Sequence, residues 1–138
     1  MANNVSSKNR RIKGGFLAIP HDVLRSEAYR ALSPSAVKLL VDIASQFTGR
    51  NNGNLTASMS LMSDRGWRST ATLHRAKREL LRAGLIEQTR QGGMNMGPTL
   101  YAVTWNPIDA CETKRGRRHD ATPTKTPSNL WRQTVEAA

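Results

Sequence analysis

Apolar positions recur at helical spacing in two long stretches of this chain and alternate as in a strand in one. The sharper helical stretch is RSTATLHRAKRELLRAGLIE, from Arg68 to Glu87. At 3.6 residues per turn, Leu73, Ala76, Leu80 and Ala83 share one face, with Leu81 at its edge. Arg75, Arg78 and Arg82 share the opposite face, with Ala71 between them and His74 beside them. Ser69 predicts the N-cap, because its hydroxyl can accept from a free backbone N–H of the first turn. No acidic residue stands three positions on, so the capping box is incomplete. Gly84 predicts the stop, because glycine readily takes the left-handed conformation that closes a helix. The pattern predicts a helix over 69–83, apolar behind and cationic in front.

The other long stretch begins at Ser33-Pro34, a capping serine followed by proline where its missing N–H costs nothing. SAVKLLVDIASQF then carries apolar residues around most of its circumference, which predicts the buried central helix of the fold. Before it, Phe16 to Ile19 reads as an edge strand or a packed lead-in. HDVLRSEAYRAL reads as a single short helix with Val23, Leu24, Ala28 and Ala31 to one side. TGRNNG ends the central helix. Asn54 to Thr56 reads as a very short strand. Ser58 to Asp64 reads as a brief helix with Met59, Leu61 and Met62 toward the core. Trp67 packs under the turn that follows. After Gly84, LIEQTRQ and TLYAVTW read as two strands joined by a flexible GGMNMGP tip. Tyr101, Val103 and Trp105 share one face, and Pro107 ends the second strand. The order of elements predicts a helix-turn-helix with an appended two-stranded wing.

Length and composition sharpen this picture. A chain of 138 residues predicts one domain with tails. Residues 1–15 read as a disordered basic arm, 16–107 as the folded domain, and 108–138 as a basic, Pro/Thr-rich, largely disordered tail. In that tail Leu130, Trp131 and Val135 read as exposed. The net charge of +11 points to a polyanionic partner: nucleic acid, an acidic membrane surface or an acidic protein. Cys111 is the single cysteine, so no internal disulfide is expected, and a reducing compartment is. His21, His74 and His119 are scattered, which predicts no metal site. No apolar run approaches the roughly 18 residues of a membrane span. The N-terminus lacks the apolar core of a secretion signal. A cytoplasmic protein, associated with the nucleoid when bound, is the expectation. No phosphate-binding loop, paired-carboxylate motif or Ser/His/Asp arrangement is present, so neither an enzyme nor a cofactor is expected.

Three segments carry a resemblance: LSPSAVKLLVDIASQF, NLTASMSLMSDRGW and RSTATLHRAKRELLRAGLIE. Together they are similar to the winged helix-turn-helix domains of bacterial phages, plasmids and integrated mobile elements, found in regulatory and replication-associated proteins. The residues that carry the likeness are Gly66, Ser69, Thr72, Leu73, Arg75, Ala76, Leu80, Gly84, Leu85 and Ile86. One departure is that Trp67 and Arg68 separate the glycine from the serine, where many members have a single residue. The resemblance covers about two thirds of the chain. It implies a mainly α fold with a small β-hairpin, binding double-stranded DNA with helix 69–83 in the major groove.

By position, Arg68, Ser69, Thr70, Ala71, His74 and Arg75 would then meet the groove. Arg75 or Arg68 suits a guanine edge, and Ala71 a thymine methyl. Ser69, Thr70 and Arg78 suit phosphates, and Arg82 adds field. Lys77 snorkels from the buried side. Thr72 is open between packing and a phosphate contact. Arg90 and Gln91 would touch the adjacent groove or backbone from the wing, while Met94 and Met96 read as plain loop rather than an inserted wedge. The expected role is regulation of transcription in a mobile element. The alternatives are DNA binding in replication initiation, and a protein-interaction module that uses the tail around Trp131. A homodimer, and a protein partner for the tail, stand open.

Overall fold

The computed structural model describes residues 13–113 and 116–132. The basic arm expected over 1–15 falls outside them up to residue 12, as does Val135. Where the spacing predicts one helix over HDVLRSEAYRAL, the chain forms two single turns, α1 (His21–Leu24) and α2 (Glu27–Arg30). Ser26 is the reason. Its hydroxyl donates to the Val23 carbonyl at 2.6 Å and accepts from the Tyr29 N–H at 3.1 Å, so it closes one turn and caps the next. Helix α3 (Pro34–Ala44) starts where Ser33 accepts from the Ala36 N–H. Ala36, Leu39, Leu40, Ile43 and Ala44 are buried, but Val41 is 42% exposed. The central helix is therefore open on one side, not enclosed all round.

The chain continues through β1 (Leu55–Thr56), α4 (Met59–Met62) and a 3-10 turn over Ser63–Arg65. Helix α5 (Thr70–Arg82) follows, capped by Ser69, whose hydroxyl accepts from the Thr72 N–H at 3.2 Å. Gly84, at φ 74°, turns the chain out of it. The strands β2 (Ile86–Arg90) and β3 (Leu100–Val103) then pair antiparallel, with Ile86 opposite Val103. β1 adds to the other edge of β3, with Leu55 opposite Tyr101, so β3 is the middle strand of three. A second, two-stranded sheet joins β4 (Glu112–Thr113) to β5 (Gly116–Arg117). The fold is α+β: five short helices against a small three-stranded antiparallel sheet among the described residues. It is less helical than the expected mainly α fold with a lone hairpin.

Alternation along β3 puts Tyr101 and Val103 on the face toward the main core. Leu100 and Ala102, on the other face, are buried as well. A strand apolar on both faces needs cover on both, and this explains the largest departure from the sequence reading. The described part of 108–138 is not a loose tail. Asp109 donates to the Asn52 carbonyl at 2.8 Å, Asp120 to Thr89 at 2.9 Å and Asn129 to Thr104 at 2.9 Å, all through backbone N–H groups. Ile108 and His119 are buried, and Trp131 is 4% exposed within the main core. The expected exposure of Trp131 is thus corrected, and with it the idea of a free tail indole awaiting a protein partner. No helix among the described residues is long and apolar enough to cross a membrane.

Candidate nucleic-acid interface

Helix α5 buries Leu73, Ala76 and Leu80 against α3 and leaves Thr70, Ala71, His74, Arg75, Arg78 and Arg82 exposed. Its single acidic residue, Glu79, does not dilute that surface. The Glu79 carboxylate turns inward and accepts from the Ser33 N–H at 2.6 Å and the Ser33 hydroxyl at 2.9 Å. Ser33 thus ties the start of α3 to the last turns of α5, and the outward face of α5 is left cationic. Lys77 lies half-buried, and desolvation pulls its ammonium below the usual lysine range. Arg75 makes one long contact, 3.5 Å to the Thr72 hydroxyl, so its guanidinium rests along the helix surface.

The turn before α5 is fixed by a residue that the sequence reading passed over. Asp42 sits on the apolar helix α3 and is buried. Its Oδ2 accepts from the Trp67 indole N–H and from Lys38 Nζ, each at 2.8 Å. Arg65 approaches its Oδ1 at 3.7 Å. Lys38 also donates to the Arg65 carbonyl at 2.8 Å and lies 5.5 Å from the Trp67 ring centre. Trp67 is buried under the turn, where its position before the helix places it. The available signal was a carboxylate within an apolar helical run, four residues after a lysine. Its indole partner lies 25 residues further on and has no signature in local spacing.

Beside this cluster is a cavity of about 420 Å³, lined by Ser35 and Lys38 from α3 and by Trp67, Arg68, Ser69 and Thr72. Arg68 is exposed and makes one long contact, 3.4 Å to the Ser63 carbonyl. Arg68, Ser69, Thr70, Ala71, His74, Arg75 and Arg78 are all exposed, while Leu73 and Ala76 between them are buried.

The hairpin residues form a separate group. The Arg90 guanidinium donates to the carbonyls of Met96 and Arg118, the latter at 3.3 Å. In this structure it is engaged with protein backbone. Gln91 is exposed, accepting from Gln88 at 3.0 Å and donating to the Gly92 carbonyl at 3.2 Å. The tip is a closed turn: Met96 donates to the Gly93 carbonyl at 3.0 Å and Gly93 to Gly97 at 3.2 Å. Met94 projects from it, 91% exposed. Compared with models of protein families, with curated proteins and with solved structures, the chain matches none.

Proposed function

We propose that the protein is a winged helix-turn-helix that binds double-stranded DNA, with α5 as the helix laid in the major groove. One observation carries the reading. α5 has an apolar face held against α3, while Arg75, Arg78, Arg82 and His74 face outward and Glu79 is engaged at Ser33. A major groove admits one helix and offers base edges along it, and flanking phosphates reward cations at its margins. Arg75 is the base reader in this proposal. Its one weak protein contact is readily exchanged for the two parallel hydrogen bonds that guanine accepts. Ser69, Thr70 and Arg78 hold phosphates, and Ala71 meets a thymine methyl. Arg90 and Gln91 supply the wing contact, exchanging their bonds within the hairpin for the duplex. The proposed role, regulation of transcription in a mobile element, rests on the resemblance of the segments around Gly66 and Gly84.

Selection of bound fragments from a random duplex pool defines the preferred site, and titration by fluorescence anisotropy then measures affinity. Arg75→Ala should weaken the selected duplex by about 1–3 kcal/mol, roughly 5- to 150-fold, and a scrambled duplex far less. Equal losses on both would remove Arg75 as a base reader. Failure of the unaltered chain to bind any duplex at modest ionic strength would end the proposal.

A further inference from the structure

We infer that the cavity between α3 and the turn before α5 is a seat for a phosphate group. The inference rests on the DNA-binding reading only in naming its first source, the sugar-phosphate backbone beside the groove that α5 enters. Two cations from different elements line the cavity, Lys38 from α3 and Arg68 from the turn. Ser35, Ser69 and Thr72 add hydroxyls to a lining that also includes Pro34, Gly66 and Trp67, and no carboxylate is among the lining residues. Asp42, which is not among the lining residues, is engaged by Lys38, Arg65 and the Trp67 indole, and Glu79 by Ser33. The lining itself therefore carries two cations and no acid.

Donors remain on both cations. An ammonium carries three N–H groups, and Lys38 uses two, on Asp42 and the Arg65 carbonyl. Those two bonds hold the amine in place, so an incoming anion need not order a loose side chain. Arg68 carries five N–H donors, and its one contact among the described residues is long. A phosphate offers several acceptor lone pairs and a full negative charge in a compact group, which suits a hollow lined by two cations and three hydroxyl residues. Trp67 closes the floor with its ring. This assignment pairs Arg68 with Lys38 and parts it from Arg75: Arg68 grips backbone, while Arg75 reads bases. It also adds Lys38 and Ser35, which no helical spacing of α5 could have nominated.

The test uses the full chain, Arg68→Ala and Lys38→Gln, with melting curves to verify that each variant is folded. Binding to the selected duplex is measured from low to moderate salt. Loss of one phosphate contact should reduce the slope of log K against log salt by about 0.9. Arg68→Ala should show that reduction while keeping the preference for selected over scrambled duplex, and Lys38→Gln should do the same if it folds. In parallel, inorganic phosphate is titrated into the DNA-free protein and followed by the Trp67 indole N–H resonance. A reduced slope assigns the seat to the DNA backbone. An unchanged slope with a saturable phosphate shift, abolished by Arg68→Ala, assigns it to a free phosphate or phosphorylated small molecule. An unchanged slope with no saturable shift overturns the inference. So does an Arg68→Ala loss confined to the selected duplex, which would return Arg68 to base reading. If the unaltered chain binds no duplex, the DNA-binding proposal falls and the phosphate titration alone decides the cavity.

Discussion

Asp42 is the residue that joins the apolar interior to the turn before α5. It is buried, and it is the acceptor for the buried indole N–H of Trp67. Asp42→Ala should lower stability by about 1–3 kcal/mol in urea titration, because that donor is left without a partner. Asp42→Asn keeps an acceptor in place and should cost less than half as much; equal losses would mean that the indole bond is not what matters. The Lys38–Asp42 pair is readable from its four-residue spacing, whereas the Trp67 bond depends on two distant segments meeting. Tyr101 gives a second prediction. Burial raises its phenol above the ordinary value of 10.0. The folded state therefore resists ionisation that the unfolded chain accepts. The stability contributed by the neutral phenol is fully present below the unfolded value and is lost as pH rises through the folded one. Tyr101→Phe should flatten the alkaline decline in melting temperature above roughly pH 10, the ordinary phenol value. An unchanged alkaline arm would assign the decline to other groups.

Elements were legible where their signals are local. Ser69, Ser33 and Gly84 mark helix ends because caps act within one turn, and the α5 amphipathic pattern placed Leu73, Ala76 and Leu80 inward. The break between α1 and α2 was hidden, because Ser26 competes for backbone groups without disturbing the apolar spacing. Two glycines separate local strain from tertiary contact. Gly66 has φ +94°, and a Cβ there would meet nothing within 4 Å. Gly66→Ala should cost only the left-handed penalty, about 1–2 kcal/mol. Gly84 has φ +74°, and its Cβ would lie 2.7 Å from the Leu130 carbonyl oxygen. Gly84→Ala should cost that penalty and about 1–3 kcal/mol more from overpacking, read by urea titration. Matching losses at the two glycines would show that the Leu130 segment does not rest on the end of α5.

The segment that composition alone assigns to a tail is part of the fold. Trp131 sits in the core, Ser128 donates to Glu87 at 2.9 Å, and Arg132 reaches Asp22 at 3.6 Å. Trp131→Ala should therefore cost about 3–5 kcal/mol in chemical denaturation, the scale of emptying a buried aromatic site. A loss below 1 kcal/mol would restore the tail reading. The basic, Pro- and Thr-rich composition from 108 onward suggested disorder, because composition counts what a segment can bury by itself. It does not count a sheet face on another segment that needs covering. By itself the sequence determined the starts of α3 and α5, the stop at Gly84, the polarity of α5 and the excess of positive charge, because these follow from covalent neighbours within a few residues. Tertiary structure alone decided that β3 is central and covered on both faces, that Trp131 lies in the core, that Asp42 meets the Trp67 indole, and that Lys38, Trp67 and Arg68 line one hollow. Those outcomes need segments tens of residues apart to be brought into contact, and local periodicity carries no record of such distances.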